Sequence, residues 1–460
     1  MKYHIITLGC PKNVVDSENM AALLDRAGFI CTDIPENTDV LIINTCCFIL
    51  PAREEAINTI LEAAALKEET GCFLIVTGCF PQRNKDELAD EIPEVDSWMG
   101  LEDLSEIVEI AKNTVKNKKI RHYYNNAPVK FQNLPRKLST PENYEYIKIA
   151  EGCLHNCSFC VIPGIRGKYR SLPMENILEN AQEIVKSGRK EIILIAQDTT
   201  LYGIDLYSKK MLPDLLKRLC QLEGLNWLRL MYAYPSSLDD EMLKTIAQED
   251  KICQYIDIPL QHSHPQVLKN MDRPFDDKET VGLIHRIRNI IPDAAIRTSF
   301  IVGHPGETPP RFQHLLDFVE KMKFYNVGVF VFSPEDGTKS AAYKTRPSIK
   351  EAQGRMDELM LVQREISHDL RRQMVGKTIT AVSEEIHQDS ATGGDVLIDV
   401  TGGEVGISTI PPGTSAIGRT VFDAPDIDGA LFIKGNAPEP GTFFDARITG
   451  AAEYDLICDM

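Results

Sequence analysis

Cys153, Cys157 and Cys160 are crowded into EGCLHNCSFC at the spacing C-x-x-x-C-x-x-C, and this triad constrains the fold more than any other stretch. A structural zinc takes four ligands, commonly as two pairs. No second pair lies downstream, and His155 sits inside the loop between two of the thiols. Three cysteines on a [4Fe–4S] cluster instead leave one iron open to a substrate or cosubstrate. The triad follows the strand-like run Tyr146–Ala150 and precedes a loop with Pro163 and Gly164.

Strand-like runs then recur at Glu191–Ala196, Trp227–Tyr232, Tyr255–Pro259, Ala295–Val302 and Asn326–Phe332. Helical patterns separate most of them: Glu175–Lys186, Leu212–Leu222, Leu238–Ala247, Lys278–Ile291 and Arg311–Phe324. Six β/α units predict a partial barrel, whose active face is the carboxyl end of the strands. Polar residues gather there: Gln197 and Asp198, Tyr232 and Tyr234, Gln261 and His262, then IVGHPGE and FSPEDGT. Each is an ordinary loop alone; recurrence at successive strand ends marks them.

Ahead of the barrel, His4–Thr7, Val40–Asn44 and Phe73–Thr77 read as short buried strands. Helical patterns at Asp16–Ala27 and Arg53–Glu69 separate them, ending at Gly28 and before Gly71. The alternation predicts a parallel α/β sheet with right-handed crossovers. TLGC, NTC and TGC place Cys10, Cys46 and Cys79 just past the three strand ends, on the edge where such sheets bind ligands. Converging thiolates without an obvious fourth donor suit an iron–sulfur cluster or a catalytic metal. Three buried structural cysteines are the alternative, and Cys31, Cys47, Cys72, Cys220, Cys253 and Cys458 are read that way.

The 460 residues suit roughly three domains. No apolar run approaches the roughly 20 residues of a membrane span, and MKYHIITLGC is a poor secretory signal. A cytoplasmic protein is expected, with cysteines serving metals or catalysis rather than disulfides. The net charge of −17 argues against broad adhesion to nucleic acid or membrane.

Glu351–Met374 reads as a connecting helix. Beyond Gly376 the runs ITAVSEE, DVLIDV, GALFI and FFDARITG, separated by turn residues, predict a small antiparallel β-barrel. Residues 376–460 hold 4 basic and 14 acidic residues, −10 of the total. Barrels of this type often bind oligonucleotides, but phosphate binding depends on Lys and Arg. The acidic balance suits a cationic protein surface, or a solvated face without a partner.

With Phe159 before its third cysteine, the middle triad resembles the signature of the radical S-adenosylmethionine superfamily. The three parts in order resemble the methylthiotransferase family: an auxiliary-cluster domain at 1–135, a radical barrel at 140–372 and a TRAM β-barrel at 376–460. The stretches GCPKNVVDSE, EGCLHNCSFCVIPGIRGKYRS, IAQDTTLYG, LMYAYP, DIPLQH, RTSFIVGHPGET and DAPDIDG resemble the branch acting on an aspartate of ribosomal small-subunit protein S-twelve. That resemblance implies two [4Fe–4S] clusters, on Cys10, Cys46 and Cys79 and on Cys153, Cys157 and Cys160. It implies S-adenosylmethionine as source of methyl group and radical, with Phe159, Gln197 and Gly303 as cosubstrate contacts. It also implies an external electron donor and a basic protein substrate, free or within the ribosomal subunit, and neither nucleic-acid substrate nor membrane.

Three departures stand out: Cys47 beside Cys46 where glycine is usual, His304 where phenylalanine is usual, and Phe332 with Pro334 after the sixth strand. Two rival functions are the same chemistry on a transfer-RNA adenosine and a non-catalytic iron–sulfur redox sensor.

Overall fold

The computed structural model describes residues 1–123, 131–273, 275, 277–387, 396–401 and 404–460. The first domain is a six-stranded parallel sheet of β1 (Lys2–Thr7), β2 (Ile30–Cys31), β3 (Val40–Thr45), β4 (Phe73–Gly78), β5 (Ser97–Met99) and β6 (Ile120–His122). Its order is β2-β1-β3-β4-β5-β6. The three expected strands lie side by side, with Thr7, Asn44 and Thr77 at one level. Both faces of β3 are buried, Leu41 and Ile43 against Ala56 and Ile60, Val40 and Ile42 against Met20 and Leu24. Burial on both sides is why the run Val40–Ile43 is apolar. The short strands β2, β5 and β6, and the helices Cys79–Glu91 and Ile107–Thr114, extend the unit beyond the sequence reading.

The barrel's six main strands are β7 (Tyr144–Lys148), β10 (Glu191–Ile195), β11 (Trp227–Leu230), β12 (Tyr255–Asp257), β13 (Ala295–Val302) and β14 (Asn326–Val331). They form two parallel three-stranded sheets, β11-β10-β7 and β12-β13-β14. The seam closes through a single parallel bridge, Leu228 to Ile252. Two short strands, β8 (Ala150–Glu151) and β9 (Arg170–Ser171), pair antiparallel and pinch the base of the middle cysteine loop. The helix Ile349–Arg372, begun by a reciprocal Ser348–Glu351 cap, packs along β14.

The last part is a closed five-stranded barrel of β15 (Thr378–Ile386), β18 (Thr414–Thr420), β19 (Leu431–Lys434), β20 (Phe443–Ala451) and β21 (Leu456–Asp459), ordered β15-β18-β19-β21-β20. One refinement to the expected antiparallel barrel is that β19 and β21 run parallel. The hairpin β16 (Val396–Thr401) and β17 (Glu404–Thr409) is inserted after β15; the first residue of the expected DVLIDV strand, Asp395, lies outside the described residues.

This module is clamped to the central barrel by charge. Glu191 on β10, fully buried, accepts from Arg229 at 2.9 Å and from Arg419 on β18. Tyr255 donates to Asp428 at 2.7 Å. Asp423, Asp428 and Asp455 are buried, so part of the acidic excess is spent internally. Glu385, Asp426, Glu439, Asp445, Glu453 and Asp459 remain exposed.

Candidate active site

Cys10, Cys46 and Cys79 lie two or three residues past the common level of Thr7, Asn44 and Thr77, on one sheet edge. Asn13 ties the edge together, donating to the carbonyls of Leu8 at 2.9 Å and Thr45 at 3.1 Å. Gly9 has φ +92°, and a Cβ there would stand 2.5 Å from Cβ of Cys46 and 3.1 Å from its sulfur. The first and second cysteines are therefore brought together by a residue without a side chain. Cys47 is fully buried against the first domain's core, and its carbonyl accepts from Arg83 at 3.1 Å. Of the adjacent pair, Cys46 is the one that meets Gly9.

The middle triad sits in a loop fixed at both ends. The Cys153 amide donates to the Gly167 carbonyl at 3.2 Å. A Cβ on Gly152, whose φ is +80°, would meet the Lys168 carbonyl at 2.3 Å. Arg273 holds its guanidinium 3.6 Å from the Cys157 sulfur and 4.3 Å from the ring centroid of Tyr234. His155 stacks on Tyr234 at 3.4 Å and bonds Asp198 at 2.7 Å. His155 is thus held by other partners, against the zinc alternative.

Burial, then the neighbouring Cys79 and Cys10, push the Cys46 thiol up to about 12. Burial raises Cys79 too, opposed by Arg166. Burial likewise pushes Cys153 up to about 11 and Cys160 up to about 12. Buried thiols that feel one another's charge ionise readily only with a cation beside them, which bound iron supplies. The cysteines are all free. Among the described residues no three His, Cys, Asp or Glu side chains close round a single metal ion, and this holds for both cysteine sets. Three soft donors per set, an arginine beside a sulfur in each and no protein fourth ligand fit an iron–sulfur cluster.

The two sets are joined by charges that sequence reasoning missed. Arg166, buried, donates to Asn13 at 2.7 Å and reaches the Cys79 sulfur at 3.4 Å. Its other nitrogen meets Asp16 at 3.1 Å and Glu151 at 3.0 Å. Lys148 lies 2.7 Å from Glu151. Despite burial, Arg166 and then Lys148 hold the Glu151 carboxylate well below its usual range. Glu151 accepts from Gln197 at 2.7 Å, leaving the Gln197 Oε1 buried without a partner among the described residues. The only sequence signal was charge inside barrel strands, Lys148 closing β7 and Glu151 closing β8.

Other strand-end residues fall into place around this core. Lys12 sets its ammonium 3.6 Å from the centroid of Tyr232, so Tyr232 faces the first triad's side and Tyr234 the second. Glu335 of FSPEDGT binds Arg53 and Arg83 of the first domain at 3.2 and 2.7 Å. Phe159, half-buried, meets His304 edge-on at 6.4 Å, and His304 meets Phe332 at 5.0 Å. The unusual His304 and Phe332 are therefore partners. The amide of Gly303, the residue before His304, donates to Glu307 at 3.1 Å.

Comparison with known proteins agrees with this layout. Residues 2–100 match an uncharacterised protein family, UPF0004; residues 147–319 match the radical SAM superfamily; residues 395–460 match the TRAM domain. The chain is 44% identical over 456 residues to the ribosomal protein uS12 methylthiotransferase RimO of Thermoanaerobacter sp. (strain X514), covering 98% of each chain. It is 42% identical over 467 residues to the protein of that name from Syntrophus aciditrophicus (strain SB), covering 99% and 98%. Among solved structures, the radical S-adenosylmethionine methyltransferase TsrM from Kitasatospora setae shares the fold at TM-score 0.54 and 13% identity, over 85% of this chain and 81% of that one.

Proposed function

The chain belongs to the RimO family of ribosomal protein uS12 methylthiotransferases, and from that premise we propose that it attaches a methylthio group to the β-carbon of an aspartate of uS12. Cys153, Cys157 and Cys160 would hold the cluster that receives S-adenosylmethionine, and Cys10, Cys46 and Cys79 a second [4Fe–4S] cluster. Once bound, these groups supply one-electron chemistry, hydrogen abstraction from an unactivated carbon, and the methylthio group.

The chain's own part is to hold, neutralise and enclose. Arg273 beside Cys157 and Arg166 beside Cys79 offset thiolate charge where water is scarce. Glu151 orients Gln197, whose free Oε1 is offered to the cosubstrate. Phe159 walls the loop of the middle triad, and Gly303 follows the fifth barrel strand at the same end. The observation that carries the reading is one wall with two faces, Tyr232 toward Lys12 and Tyr234 toward the second loop. Two cysteine sets served by two residues of one strand end, Tyr232 and Tyr234, can act on one bound side chain.

The division into 1–135, 140–372 and 376–460 follows the same assignment. An electron donor outside the chain is required. The exposed acidic residues of the last module suit the basic surface of a ribosomal protein, free or in the small subunit, and steer its approach. Among the described residues no helix is long and apolar enough to cross a membrane, and we place the reaction in the cytoplasm, where ribosomes assemble.

The test is direct. Anaerobically reconstituted enzyme, reductant and S-adenosylmethionine are incubated with uS12 and separately with transfer RNA, followed by mass spectrometry. A gain of one sulfur and one CH₂ on an aspartate of uS12 supports the reading. The same gain on RNA, with uS12 unchanged, overturns it.

A further inference from the structure

Lys12 is 8% exposed and occupies the first turn of the helix Pro11–Arg26, two residues from Cys10. Its ammonium lies over the face of Tyr232 and, among the described residues, has no carboxylate within ion-pair distance. Cys10 is the acid that it feels most, and the carboxylates of Glu151 and Asp257 are engaged elsewhere. Glu151 is held by Arg166, Lys148 and Gln197. Asp257 is held by Arg297 at 3.2 Å and by the amide of Tyr232 at 2.9 Å. Arg166 adds a like charge nearby.

Such an arrangement is costly as it stands. A buried cation with no carboxylate partner gives up hydration that a ring face and the neighbouring Cys10 only partly replace. The lysine is also held in place. Tyr232 adopts φ +60°, a conformation rare for a residue with a side chain, and the Asp257 bond to its amide keeps it there. The strained tyrosine fixes the ammonium at the mouth of the first triad and leaves its remaining donors for an incoming group.

We infer that Lys12 receives the carboxylate of the aspartate that the enzyme modifies. The inference rests on uS12 being the substrate and specifies how its side chain is chosen. The β-carbon is bonded directly to the carboxylate carbon, so gripping the carboxylate beside Cys10 brings the reacting carbon to the first triad. An asparagine offers no charge to Lys12, and its binding would leave the ammonium unpaired. Glutamate would displace the equivalent carbon by a methylene. Lys12 is on this account a specificity-determining residue that touches substrate, while the cysteines carry the cofactors.

The experiment is equilibrium binding of fluorescently labelled uS12 to the anaerobically reconstituted full-length enzyme. S-adenosylmethionine is omitted so that its own carboxylate is not in play. The target aspartate is compared with its Asp→Asn counterpart. The unaltered enzyme is expected to bind the aspartate form about tenfold or more tightly, the range of one hydrogen bond to a charged group. Lys12→Met should bind both forms alike, at the asparagine level, and Lys12→Arg should restore the preference. Equal binding of the two forms by the unaltered enzyme overturns the assignment and needs no variant. So does a preference that survives in Lys12→Met. If the unaltered enzyme binds neither form and instead modifies RNA, the substrate reading falls and takes this assignment with it.

Discussion

The guanidinium of Arg166 stands 3.4 Å from the sulfur of Cys79, a residue 87 positions earlier in the chain and at the edge of the first domain's sheet. Arg166 closes the short helix after the middle triad, whereas Cys79 follows β4 of the first domain. One buried side chain therefore reaches from the loop of one cysteine set to a sulfur of the other. Asp16 and Glu151, one from each domain, share its second nitrogen.

Replacing Arg166 by Met should leave those two carboxylates facing each other with only Lys148 between them. Breaking a buried ion pair by removing one partner costs about 3–5 kcal/mol. A drop of that size in unfolding free energy, read from denaturant midpoints, is expected. Easier proteolysis between the first domain and the barrel should accompany it.

Gly9→Ala tests the close approach of the first two cysteines. The added carbon would lie 2.5 Å from Cβ of Cys46 on a backbone at φ +92°. The first set should lose its cluster while the second keeps its own, so that iron per chain falls from about eight to about four. Visible absorption should fall in parallel.

The acid limb of stability should carry a histidine contribution. Burial, the largest cause, lowers His304 to about 4. Its neutral ring bonds Ser340 at 2.8 Å and packs between Phe159 and Phe332. The folded value lies below the ordinary histidine value of about 6.5. The stabilisation is thus present above about pH 6.5 and lost as pH falls through 4, by at most about 3 kcal/mol. His304→Phe should flatten Tm over that window, because Ser340 keeps its 2.6 Å bond to Ser158. Identical pH profiles for the two proteins would contradict this.

Arg419 anchors the last barrel by binding Glu191 and, at 2.7 Å, Glu384. In Arg419→Met, calorimetry should resolve a separate, earlier transition for residues 376–460, where the unaltered chain unfolds as one unit. Glu191 keeps Arg229, so the central barrel should hold its own transition.

Much of this was legible because strands and cysteines announce themselves. Val40–Ile43 is an unbroken apolar run, as the middle of a strand covered on both faces must be. The glycine before Cys10, Cys79 and Cys153 marks sharp turns at strand ends. What the sequence hid was partnership across long separations. Arg166, Lys148, Glu151 and Asp16 look like ordinary charged positions until folding buries them together, and Lys12 in GCPKN carried no local sign that it would be buried with no carboxylate partner among the described residues. The strands β2, β5 and β6 are too short to show a period of two. The parallel seam of β19 and β21 depends on chain crossing, which composition does not encode.

The measurement closest to the central claim is the iron and acid-labile sulfide content of three anaerobically reconstituted proteins. The unaltered chain should hold about eight irons, and alanine at Cys10, Cys46 and Cys79, or at Cys153, Cys157 and Cys160, should each leave about four. Only the second triple variant should also lose S-adenosylmethionine cleavage. Zinc in place of iron, or full iron after either triple substitution, would contradict the account.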